Sequence, residues 1–103
     1  MMECRRSVYR DEDYRDLDPG IRKAVQILVD NGVETFESCE GGPGHCFPEP
    51  TIRFHGALGA GWHALSVCLD YGLPVLALRR EWSVIRNEPT GPKWEIVFRE
   101  KLC

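Results

Sequence analysis

Ile21, Ala24, Val25, Leu28 and Val29 recur at i, i+3, i+4, i+7 and i+8, which is the spacing of one helix face. Arg22, Lys23, Gln26 and Asp30 fill the polar side. Asp18-Pro19 supplies a carboxylate for the N-cap and a proline for the first turn, and Asn31-Gly32 closes the helix. The period then drops to two. Val33–Ser38 predicts a short strand with Phe36 on one face and Thr35, Glu37 and Cys39 on the other. Thr51–His55 alternates again, placing Ile52 and Phe54 inward and Arg53 and His55 on the face of Thr51. A second helix is expected over about Leu58–Tyr71. Leu58, Trp62, Leu65 and Leu69 form its apolar stripe, with Cys68 beside them, and Gly72 and Pro74 end it. Val75–Leu78 is a fully apolar strand, and alternation at Trp82, Val84 and Arg86 can carry it past Arg79-Arg80. Asn87–Pro92 reads as a turn, and Trp94, Ile96 and Phe98 alternate with Glu95, Val97 and Arg99 in a last strand.

The order helix, strand, strand, twice over, predicts an α+β two-layer sandwich: two helices on a mainly antiparallel sheet of about four strands, αββαββ. The alternative topology runs Thr51–His55 and Val75–Leu78 parallel across the second helix, as a right-handed crossover. Residues 1–17 carry dense charge of both signs and form a partly ordered arm, with a short strand expected near Ser7–Arg10. Residues 18–103 are expected to make one α+β domain. Trp62, Trp82 and Trp94 are assigned to packing, and His63 to the exposed side of its helix.

Composition adds boundaries. A chain of 103 residues buries roughly two-thirds of the surface its unfolded form exposes, enough for a core without metal or disulfide staples. No apolar run approaches the roughly 20 residues that span a bilayer, and the first residues lack the apolar segment of a secretory signal. A cytoplasmic protein without a membrane partner is expected, with its five cysteines as reduced thiols. A net charge of −3 does not favour nucleic acid as a partner.

The chemistry is concentrated in Glu37–Cys46. Ten residues there hold three glycines, a proline, two cysteines, a histidine and two carboxylates. Consecutive backbone N–H groups at Gly41, Gly42 and Gly44 could form an anion-binding nest beside Glu40. Arg53 and Arg79, with Arg80 and His55, could extend it over an open sheet face. The glycine spacing matches neither a phosphate loop nor a dinucleotide fingerprint. Against the nest stands a tight turn whose glycines only supply backbone freedom. Cys39 with His45 or His55 offers a thiolate and a base for catalysis, against the alternative of a buried thiol that only packs. Cys39, His45 and Cys46 with His55 or His63 supply zinc-ligand types. Their spacing is not that of a structural zinc site, so no metal and no cofactor is assigned.

The segments Phe36–His45 and Phe47–Phe54 resemble a family of short bacterial and phage proteins with no established activity. Gly61 with Ala64-Leu65, Leu78-Arg79-Arg80, Trp82, and Gly91-Pro92 with Trp94-Glu95 fit the same pattern, which covers roughly residues 19–99. The resemblance implies a phage-like accessory role and names no chemistry. Cys46 departs from it, since the pattern leads one to expect a small residue such as Ser or Ala there.

The expected function is therefore a small binding or accessory module, holding a small anionic ligand or a protein partner's acidic group at the glycine-rich loop. Two other classes stay open. One is an enzyme using Cys39 with His45 or His55 on a nucleotide-like or nucleic-acid substrate. The other is a zinc-stabilised interaction domain.

Overall fold

The computed structural model describes residues 5, 6 and 18–102. Its elements are β1 (Arg5–Arg6), α1 (Pro19–Asp30), β2 (Thr35–Cys39), β3 (Thr51–Phe54), α2 (Leu58–Asp70), β4 (Val75–Ile85) and β5 (Glu88–Phe98). The strands form one antiparallel sheet in the order β1-β2-β3-β5-β4. The α+β class and the αββαββ order hold, with the two-residue β1 added at the β2 edge. The strand expected near Ser7–Arg10 lies outside the described residues.

The sheet order resolves the two topologies. β3 and β4 each pair antiparallel with β5, so they run parallel to one another with β5 between them. β5 takes the inner place because Trp94–Phe98 is buried throughout. β4 pairs on one side only and stays half exposed, as befits an edge strand.

Register sorts the side chains by face. Ile52, Ile96 and Leu78 lie in one cross-strand row and belong to the core with the helices. The adjacent row, Arg53, Glu95 and Arg79, points to the opposite face. α1 contributes Ile21, Ala24, Val25 and Leu28 to the core, the stripe its spacing predicts. Truncating one of its large members to Ala would cost about 2–5 kcal/mol.

α2 departs from its sequence pattern. Its buried residues are Gly61, Ala64, Val67 and Cys68, while Leu58, Trp62 and Leu69 are each more than half exposed. The apolar stripe therefore faces solvent, and only Leu65 of that set packs against the core. The reason is Trp94. Its indole lies under α2, stacked on Phe54 and donating from Nε1 to the carbonyl of Ala57 at 3.0 Å. A ring that large leaves room only for small residues above it. Burial pushes the Cys68 thiol up to about 12, so it stays a neutral packing group. Trp82 is also exposed, contrary to the packing role expected of it.

The β4–β5 hairpin is longer than the turn signals suggest. Ile85 pairs with Glu88, so the turn is Arg86-Asn87 alone, both at positive φ (52° and 66°). That is the primed two-residue geometry which suits strand twist. Pro89 and Pro92 fall inside β5 because β3 reaches β5 only from Trp94 onward. Beyond that point β5 has a single neighbour and tolerates a missing N–H. Among the described residues no helix is long and apolar enough to cross a membrane.

Candidate functional site

The glycine-rich loop leaves β2 at Cys39 and returns at Thr51, its partner across the β2–β3 ladder. It closes by internal backbone bonds. Gly42 N donates to Pro48 O at 3.1 Å, and His45 N donates to Gly42 O at 3.1 Å. Gly41 N donates to the Cys39 sulfur at 3.4 Å. Gly41 must be glycine: its φ is +81°, and a Cβ there would stand 2.6 Å from Pro50 N and 2.8 Å from Glu49 Cα. Two of the three N–H groups expected to form the nest, those of Gly41 and Gly42, are thus engaged within the loop.

Two carboxylates exchange roles across α1. Asp18 occupies the N-cap position but makes no capping bond to its own helix. Instead it accepts from Glu40 N at 3.3 Å, while Glu40 Oε1 accepts from Gly20 N at 2.8 Å and so caps α1 from outside. The bond from Gly20 is the main reason the Glu40 carboxyl is held below its ordinary value; burial opposes it, and Lys101 and His45 assist. Glu40 therefore carries its negative charge at neutral pH.

His45 sits between these two acids. Its Nδ1 is 3.7 Å from Asp18 Oδ2, and its Nε2 is 3.5 Å from Glu40 Oε2. Lys101 Nζ approaches the same Glu40 oxygen at 3.5 Å. Cys39 completes the group: one ligand atom each from Asp18, Cys39 and His45 lies within 4.8 Å of the others. The Cys39 thiol is free but fully buried. A shallow concavity of about 480 Å³, lined by Gly42, Pro43, Gly44, His45, Cys46 and Pro48, opens beside it.

Cys39 and His45 thus bring their ligand atoms within 4.8 Å of each other, whereas His55 does not join them. His55 follows the far end of β3, four residues beyond the partner of Cys39, or about 13 Å along the strand. There it stacks on Phe36 with ring centroids 4.3 Å apart. His63 is exposed, with Nε2 2.7 Å from the carbonyl of Asn31. Cys46 is disulfide-bonded, against the expectation of a reduced thiol there.

Arg53 and Arg79 lie together on the sheet face, but in an ion network. Arg53 reaches Glu95 at 3.1 Å, Glu37 at 3.2 Å and Glu81 at 3.1 Å, and its guanidinium lies 4.7 Å from the Phe47 ring centre. Arg79 Nη1 meets the other Glu95 oxygen at 2.9 Å. Arg80 is on the opposite face, over the Trp94 ring. The residue that sequence reasoning missed at the loop is Asp18. Its position before Pro19 signals an N-cap, and nothing local says that its side chain is turned toward a loop 22 positions away. No family model, curated protein or solved structure matches the chain.

Proposed function

We propose that the protein is a small binding module whose ligand site is the glycine-rich loop, and that the site takes a positively charged group. The observation that supports this best is the placement of His45 between the Asp18 and Glu40 carboxylates, with Glu40 held ionised. The expected anion would meet this negative pair, while the N–H groups of Gly41, Gly42 and His45 are engaged and Arg53 already faces three carboxylates. An electrostatic field of this sign attracts cations and repels phosphate.

Backbone amide shifts test the reading. An arginine-bearing peptide should move the resonances of Gly41–Cys46, and inorganic phosphate should leave them in place. Movement by phosphate, or none by the peptide, would overturn it. The enzyme reading keeps one favourable observation, the approach of His45 to Cys39, and one opposing it, the complete burial of the thiol. A nucleophile must reach its substrate. Alkylation by iodoacetamide should therefore leave native Cys39 unmodified, and rapid modification would restore the enzyme reading.

A further inference from the structure

We propose that Asp18, Cys39 and His45 form a binding site for one thiophilic divalent cation of the zinc class. This rests on the loop being the binding site, and names the cation it would hold. The donor set is a thiolate, an imidazole and a carboxylate, a combination that suits zinc better than calcium or magnesium. Tetrahedral ligands at about 2.0–2.3 Å from such an ion stand about 3.3–3.8 Å apart. Asp18 Oδ2 and His45 Nδ1 are already 3.7 Å apart, and all three donor atoms fall within 4.8 Å. Contraction of about 1 Å would complete the geometry. Glu40 Oε2, 3.5 Å from His45 Nε2, stands next to this group as a further oxygen donor.

Charge and topology agree with this. A Cys39 thiolate and an Asp18 carboxylate together balance a divalent ion, the thiol proton leaving to solvent. The three donors come from separate pieces of chain: the residue before α1, the last residue of β2 and the loop. One ion would tie them together. Asp18 and His45 keep partly exposed side chains, so a cation can enter where a bulky substrate could not reach the buried sulfur. Cys39 and His45 are ligands the sequence suggested; Asp18 takes the place of the others. Cys46 is committed to a disulfide, and His55 and His63 are held elsewhere.

The test uses the full chain, stripped of metal by chelation, and cobalt(II) as a spectroscopic stand-in for zinc. Titration should give one equivalent of tetrahedral cobalt with a sulfur-to-metal charge-transfer band in the near ultraviolet. Zinc should displace the cobalt, and magnesium should not. The band should vanish in Cys39→Ser, and affinity should fall in His45→Gln and in Asp18→Asn by at least the roughly 10–100-fold typical of changes to groups that only support a metal's ligands. If Cys39→Ser does not fold, His45→Gln decides the matter. Absence of the charge-transfer band in the wild type, or affinity unchanged in His45→Gln, overturns the proposal. Loop amides that move with the arginine peptide but not with zinc overturn the metal assignment alone. Zinc-induced shifts centred on His55 or His63, with a loop silent to both probes, overturn both readings.

Discussion

Gly61→Ala puts the packing of α2 to a direct test. Alanine is ordinarily the better helix former by about 0.8–1 kcal/mol, so sequence reasoning alone says the change stabilises. The structure says the opposite. A Cβ at position 61 would stand 2.5 Å from Trp94 Cζ3 and 2.6 Å from Cζ2, well inside van der Waals contact. The indole cannot easily retreat, being stacked on Phe54 and bonded through Nε1 to Ala57 O. Forcing a methyl into such a contact costs about 1–3 kcal/mol. The strain exceeds the propensity gain over most of that range, for a net loss of up to about 2 kcal/mol. At this chain length that lowers Tm by up to roughly 15 °C. Gly59→Ala is the matched control. It lies in the same helix, and a Cβ there meets nothing within 4 Å, so it should raise stability by about 0.5–1 kcal/mol. Thermal and urea unfolding of both variants would measure the difference. Equal stabilisation by the two substitutions would refute the seating of α2 on Trp94.

Two other outcomes follow from the ion pairs and the cap. The folded Glu40 carboxyl lies below its ordinary 4.5, so its contribution is present above that value and is lost as pH falls through the lower folded pKa. Acid titration of stability should therefore be shallower below pH 4.5 in Glu40→Gln than in wild type, and Glu40→Ala should cost about 0.5–2 kcal/mol at neutral pH by uncapping α1. On the sheet face, Arg53→Met leaves the buried Glu95 with Arg79 alone. It should cost roughly 2–4 kcal/mol by urea denaturation, somewhat under the figure for a fully buried pair, and the Arg53→Met/Glu95→Met double variant should recover most of the loss.

Local chemistry determined a good deal of this protein. The α1 stripe, the glycine that ends it, the strand alternations of β3 and the core of β5, and the αββαββ order all follow from spacing, because those residues meet one apolar layer and their period reports its direction. The glycine loop was legible as a turn beside Cys39 and His45 for the same reason: backbone freedom and residue type are local properties.

Tertiary structure decided the rest. The α2 pattern pointed the wrong way because Trp94, some 30 residues on, takes the space that the Leu58–Trp62–Leu69 stripe would have filled. Pairing across the sheet set Arg53 against Glu37, Glu81 and Glu95, which turned a candidate anion site into an internal ion network. Glu40 caps α1 while Asp18 binds the Glu40 backbone only because α1 begins where β2 ends, a juxtaposition that no window of sequence contains. A helix start and a glycine turn could each be read alone; the sign of the field between them depends on which side chains the fold brings face to face.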